Sequence, residues 1–327
     1  MDREWLYGLI YALAATGGRE ATLFGNSAGN GHEAFQNGLC GEAFPELWFE
    51  LPLLGNPWFD LHMLVSRSDM HGGMRFKGLG PVYSDALEWF ATSKNTRQLA
   101  LSFDSGSGDT THPAVQLLMD TRDSDVTCDF LATTAGPEAA QGYRTFATTI
   151  PREWYPCYTG LFPARTQSPG SSWIRVECIV TDGLQSLYAS DLDLLHSHLT
   201  NAGIHSADRE FLSYVQELAR SPFPLELQFN VGPEGRARQA LSASIRFTTR
   251  DWLDPLKSRE VAKMFEQAQT WGLADDRWHE LENTKFAKLV STGNARAHVF
   301  CFPAFLKLRW IEDHGMDAKA YLLAGTN

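Results

Sequence analysis

Lys307, Arg309 and Lys319 share one phase. In Leu306–Trp310 the apolar Leu306, Leu308 and Trp310 alternate with Lys307 and Arg309, and in Ala318–Leu322 the apolar Ala318, Ala320 and Leu322 alternate with Lys319 and Tyr321. Successive side chains of a strand point to opposite faces, so these cations stand on the polar face of two neighbouring strands. Arg175 and Arg246 take the same polar phase in Trp173–Thr181 and Leu241–Thr248. Several fixed cations suit a small anion, Arg through bidentate contacts and Lys as a point charge. The competing assignment is salt bridging to acids of the same face, Glu177 and Glu226.

Positioning these side chains takes a sheet with one polar and one apolar face. Leu225, Leu227 and Phe229 oppose Glu226, Gln228 and Asn230; Leu241, Ala243, Ile245 and Phe247 oppose Ser242, Ser244 and Arg246; Ile174, Val176, Cys178 and Val180 oppose Arg175 and Glu177. Five strand pairs recur roughly every 50–75 residues, an interval that suggests a repeat. They are Trp48–Leu53 with Trp58–Ser66, Leu99–Asp104 with Ala114–Asp120, Tyr158–Arg165 with Trp173–Thr181, Leu225–Val231 with Leu241–Thr248, and Ala297–Trp310 (broken by Pro303) with Ala318–Ala324.

Helical runs lie between them: Tyr83–Ser93, Pro137–Thr148, Asp191–Asn201, Asp208–Arg220, Arg259–Trp271 and Arg277–Val290. Ser190 and Asp193 carry a capping-box spacing ahead of Leu195 and Leu199. Each helix has one apolar stripe, which packs on the apolar sheet face. The expected fold is α+β, a closed antiparallel barrel of about ten strands with a polar lumen, ringed by helices. It would be a single barrel domain over residues 1–327, built from five helix–strand–strand–helix repeats. The alternatives are an open α+β sheet or two domains with the polar face solvated.

Composition narrows the partners. The 327 residues carry Lys+Arg 28 against Asp+Glu 39, a net charge of -11, with 43% hydrophobic residues. That is ordinary globular composition, and it is not collagenous, disordered or coiled-coil. A pI near 5.4 argues against broad nucleic-acid or anionic-membrane binding, while leaving room for a local basic pocket. Cys40, Cys128, Cys157, Cys178 and Cys301 are scattered without C-x-x-C, which suggests a reducing cytoplasm. The apolar stretch Trp5–Ala15 is too short to span a bilayer and has no A-x-A cleavage pattern, so a first helix is expected there.

Several motifs fail. His279-Glu280 is followed by Asn283 in place of a zinc-protease histidine, and His196 and His198 point to different sides of a helix, so no metal site is expected. There is no phosphate-binding G-x-x-x-x-G-K-[ST] and no nucleophile elbow G-x-S-x-G. Asp275-Asp276 lacks the third aspartate of the all-helical isoprenoid synthases. Asp120, Asp123, Asp125 and Asp129 read as a solvated acidic loop without the Gly and Glu of an EF-hand.

This order of elements, five hairpin repeats with flanking helices around a polar lumen, resembles the ABBA fold, or PT barrel, of aromatic prenyltransferases. In size it is similar to the peptide prenyltransferases of the cyanobactin type. The resemblance covers nearly the whole chain as a pattern of repeats. It implies transfer of a prenyl group from an isoprenyl diphosphate to a nucleophilic side chain of a peptide or to an aromatic small molecule. Glu50, in Trp48-Phe49-Glu50-Leu51, stands where the family places a base, with His62 in reserve. Diphosphate would fall to Lys307, Arg309 and Lys319, with Arg175 and Arg246, and with Arg75 and Lys77 after the first hairpin. Tyr321, Trp173, Tyr158 and Phe305 would shield the allyl cation, since aromatic faces attract cations and exclude water.

Each of these residues also has a plainer assignment: a lumen ion pair for Glu50, a structural hydrogen bond for His62, core packing for the aromatics. Mg2+ fits the resemblance because it bridges diphosphate oxygens, although no carboxylate motif calls for it. Asp60, Asp104, Glu177 and Glu226 depart from a purely basic pocket and would suit a cationic side chain of the substrate. The alternatives are a non-catalytic peptide- or small-molecule-binding barrel, or a different peptide-modifying enzyme on the same fold.

Overall fold

The computed structural model describes residues 20–25, 46–71, 81–93, 96–103, 113–119, 124–162, 174–292 and 295–326. Its strands are β1 (Glu46–Pro52), β2 (Asp60–Val65), β3 (Thr96–Phe103), β4 (Ala114–Met119), β5 (Trp154–Leu161), β6 (Ile174–Val180), β7 (Leu225–Val231), β8 (Ala237–Arg246), β9 (Phe286–Thr292), β10 (Ala295–Ile311) and β11 (Gly315–Thr326). β1 to β8 pair in chain order, β8 pairs with β10, β10 with β11, and β11 returns to β1. Every pairing is antiparallel. Ten strands thus close a barrel, and β9 extends the sheet along the first half of β10, from Ala295 to Cys301.

The alternation dictates which face turns in. Phe49, Leu227, Ile245 and Leu308 are fully buried beneath the helices. Their strand neighbours Glu50, Gln228, Ser244 and Lys307 face the lumen. Among the described helices are α1 (Glu20–Leu23), α2 (Arg67–His71), α3 (Pro81–Thr92), α4 (Ser124–Ala135), α5 (Pro137–Thr149), α6 (Asp182–Tyr188), α7 (Leu192–Asn201), α8 (Arg209–Arg220), α9 (Thr249–Leu253), α10 (Pro255–Thr270) and α11 (Trp278–Glu282). Helix α8 shows why they form. Asp208 caps it by accepting from Glu210 N, and Phe211, Leu212, Val215 and Leu218 line its buried stripe.

Three expectations change. The helix expected over Arg277–Val290 stops at Glu282, and Phe286–Thr292 is strand β9. Val290 and Thr292 are β-branched, and the segment pairs with Ala295–Cys301. The cap of α7 is Asp191, whose carboxylate accepts from Leu194 N, while Ser190 Oγ donates back to Leu187 O. The acidic stretch is helical from Ser124, with Asp125 in the first turn and Asp129 accepting from Trp89 Nε1 at 2.7 Å. Trp5–Ala15 and Asp104, Asp120 and Asp123 lie outside the described residues. Among the described helices none is long and apolar enough to cross a membrane.

Candidate active site

The lumen is divided into two compartments. At the end where β1 and β11 pair through Glu50 and Tyr321, a small compartment of about 100 Å³ is lined by Glu50, Asp60, Ser102, Asn230, Arg309 and Lys319. Towards the opposite end, where β8 runs into α9, lies a chamber of about 700 Å³. Trp48, Tyr158, Phe302, Phe305 and Tyr321 form its aromatic wall, and Glu46, Glu177 and Glu226 its acidic side. His62, Arg175, Gln228 and Lys307 line both and form the waist between them.

Register builds the cationic end. Lys307 faces Lys319 across β10 and β11, and Glu50 faces Tyr321 across β1 and β11. Lys319 Nζ donates to Glu50 Oε1 at 2.5 Å, and Tyr321 Oη donates to Glu50 Oε2. His62 Nε2 lies 3.2 Å from Glu50 Oε2, with Nδ1 2.6 Å from Ser102 Oγ, and Gln116 Nε2 donates to Ser102 Oγ at 2.8 Å. Burial alone would raise the Glu50 carboxyl. Lys319, His62 and Lys307 overcome it and hold the group well below the usual carboxylate range. Glu50 is therefore a fixed anion rather than a strong base. Among the described residues three donors reach a group with roughly four lone-pair sites, which leaves one for a further donor.

Lys307 is different. Its Nζ donates to Gln228 Oε1 at 2.8 Å and Tyr321 Oη at 3.1 Å, both neutral, and among the described residues it makes no ion pair. Burial, with Arg175 and Lys319 adding to it against the pull of Glu50 and Glu177, lowers it to about 8. Arg175 Nε donates to Asn230 Oδ1 at 3.3 Å, and its guanidinium sits 4.1 Å from the centre of the Phe162 ring. Arg309 is ion-paired with Asp317, its Nε 2.9 Å from Oδ2. Burial also keeps the Tyr321 phenol and the Cys157 thiol protonated, so Cys157 is not poised as a nucleophile.

The structure thus brings Glu50, His62, Lys307, Arg309, Lys319 and Arg175 to one compartment and its waist. Tyr158, Phe305 and Tyr321 stand on the chamber side of that waist. Arg246 is apart from them, at the far rim, with Nε 3.3 Å from Glu226 Oε1. Arg75, Lys77 and Trp173 lie outside the described residues.

Sequence reading missed Trp48, Gln116 and Ser102, although each keeps its strand's lumen phase: Trp48 is two residues from Glu50, and Ser102 pairs with His62. Phe302 and Cys157 were harder to find, because bulges at Pro303/Phe305 and Pro156/Tyr158 break the alternation beside them. No cluster of three metal-ligating side chains exists among the described residues. The acids lining the small compartment are Glu50 and Asp60, and Glu50 is ion-paired with Lys319.

No protein-family model matches the chain, and no curated protein matches it in sequence. Solved structures do match its fold. The crystal structure of the prenyltransferase PriB in its apo form aligns with a TM-score of 0.57 at 13% identity, covering 97% of this chain and 94% of that one. The 6-dimethylallyltryptophan synthase from Micromonospora olivasterospora, in complex with DMASPP and Trp, aligns with a TM-score of 0.53 at 12% identity, covering 97% and 95%. The chain has the closed barrel of the ABBA prenyltransferases.

Proposed function

We propose that this chain transfers a prenyl group from an isoprenyl diphosphate to a nucleophilic acceptor, a peptide side chain or an aromatic small molecule. The observation that carries this reading is the waist, where a buried ammonium, Lys307, with only neutral hydrogen-bond partners stands between a cationic compartment and an aromatic chamber. Diphosphate oxygens would meet Lys307, Arg175 and Lys319, with Arg309 behind them. The negative charge that grows on the leaving group as the C1–O bond breaks develops where those cations are fixed. The allyl cation would face Tyr321, Phe305, Tyr158 and Trp48, whose rings exclude water. The synthase from Micromonospora olivasterospora, similar in fold, was solved with DMASPP and Trp together, which supports reading this barrel as one that takes two ligands at once.

Glu50 would accept a hydrogen bond from the acceptor's N–H or O–H on its open lone pair and hold the nucleophile in line. As the new bond from C1 forms, the acceptor becomes cationic and strongly acidic, so its proton can pass to Glu50 although that carboxylate is a weak base, while His62 keeps donating to Glu50. Arg246, at the rim of the chamber, would stand far from the leaving group.

A second reading is favoured by the pairing of Lys319 with Glu50 and Arg309 with Asp317, which a purely structural lumen would also make. It is a barrel that binds a small anion without turnover. Incubation with dimethylallyl and geranyl diphosphate and a panel of peptides and indoles, read by mass shift, separates the two. Prenylated product supports transfer. Diphosphate that binds and returns unchanged with every acceptor supports the binding barrel.

A further inference from the structure

The chamber has a second polar centre that the transfer chemistry does not use. Glu177 on β6 and Glu226 on β7 stand diagonally across adjacent strands, since Glu177 pairs with Gln228 and Glu226 with Ile179. Glu177 Oε2 accepts from Gln228 Nε2 at 2.5 Å, which ties it to the waist through Lys307. Glu226 is left poorly served. Its side chain is only 3% exposed, yet its Oε1 makes no hydrogen bond. Among the described residues its ion-pair partner, Arg246 Nε at 3.3 Å, lies outside hydrogen-bond geometry on a side chain that is 40% exposed at the rim.

A buried carboxylate oxygen without a donor is costly, and native structures rarely tolerate one unless something outside the fold completes it. Burial and the like charge of Glu177 push the Glu226 carboxyl well above the usual range, so the site favours keeping a proton until a cation enters and displaces it. Tyr158 and Ile179 line the chamber beside the pair and would cover an alkyl or aromatic stem.

We propose that the Glu177–Glu226 pair is a recognition site for an organic cation, an ammonium or guanidinium group carried by the acceptor. This rests on the prenyl-transfer reading for the word acceptor, but the site is built from residues outside the diphosphate compartment. The guest replaces Arg246 as the partner of Glu226 and supplies the donor that Oε1 lacks. Arg246 can withdraw to solvent, being already two-fifths exposed. Charge-assisted contacts of this kind are worth about 10- to 150-fold in affinity.

Calorimetric titration of the full chain with tryptamine and agmatine, against tryptophol as the uncharged counterpart, tests the site. At least one of the two cations is expected to bind at least about tenfold more tightly than tryptophol. Glu226→Gln should remove that preference, while Arg246→Gln, which removes the internal competitor, should strengthen cation binding several-fold. Two variants moving in opposite directions separate recognition from a folding defect. Equal binding of charged and neutral probes, no binding of any, or a preference kept in Glu226→Gln overturns the proposal. Prenylation of neutral acceptors without cation preference would remove this inference alone. Cation binding without consumption of any prenyl diphosphate would remove the transfer reading and leave the site standing.

Discussion

At the residue scale, Lys307 and Glu50 carry opposite burdens. Lys307 is buried and lowered to about 8, so between pH 8 and its ordinary value of 10.5 the unfolded chain binds the extra proton. Stability from this group therefore rises with pH across that window. Anion affinity runs the other way, because diphosphate favours the charged amine. The dissociation constant for a prenyl diphosphate should be flat below about pH 8 and worsen by up to tenfold per pH unit above it, with Lys307→Met abolishing the break. A pH-independent affinity in the wild type from pH 7 to 9.5 would sink the assignment of Lys307.

Glu50 is held ionised, so its contribution is present above the usual carboxylate value of 4.5 and is lost as pH falls through its own lowered one. Glu50→Gln leaves Lys319 without its counter-charge. It should lower stability by about 3–5 kcal/mol, the range for breaking a buried pair. Diphosphate should bind it more tightly, by about 3- to 10-fold, because a negative charge has left the compartment. Turnover should fall by about 10²–10⁴-fold as acceptor alignment is lost. Thermal melts with and without diphosphate check the first two effects, and single-turnover rates the third. Wild-type turnover in this variant would end the assignment of Glu50.

At the element scale, the polar alternation was legible wherever a strand kept strict period two, as in β6, β7, β8 and β11. It placed Arg175, Gln228, Ser244 and Lys319 on the lumen face. It failed at two prolines. Pro156 and Pro303 sit at bulges that bring consecutive or near-consecutive residues to the same side, so Cys157 and Tyr158 both line the chamber. Helix α4 was hidden by its acids, and β9 by a segment that reads equally as helix until its hairpin partner is known.

Gly160 has a consequence for the site. It pairs with Gln116, and a methyl group there would lie 2.6 Å from Gln116 Cγ. Gly160→Ala should force Gln116 aside at a cost of about 1–3 kcal/mol. Gln116 then no longer donates to Ser102, and the chain to His62 loses its anchor. A lowered melting temperature with turnover reduced more than diphosphate affinity is expected. A variant matching the wild type in melting and turnover would mean that Gln116 and Gly160 carry no such load.

At the scale of the whole molecule, the net charge of -11 and the cationic compartment pull an anionic ligand in different directions. The sequence total is readable at once, but the sign of the lumen is not, because it depends on which side of each strand faces inward. The acids of the chamber, Glu46, Glu177 and Glu226, stand at the end opposite Lys319 and Arg309. A diphosphate approaching from solvent therefore meets the repulsive field of the whole protein before it reaches a buried cation. That outer field is screened within about 10 Å at 0.1 M salt, whereas contacts inside the barrel are screened much less. Raising ionic strength from about 10 to 150 mM should therefore speed association by about 2- to 5-fold and leave dissociation nearly unchanged. Stopped-flow quenching of Trp48 and the other tryptophans on mixing with dimethylallyl diphosphate reads both rates. An association rate that falls with salt would mean that the approach is governed by the local cations, and that the compartment of Lys319 and Arg309 opens directly to the ligand.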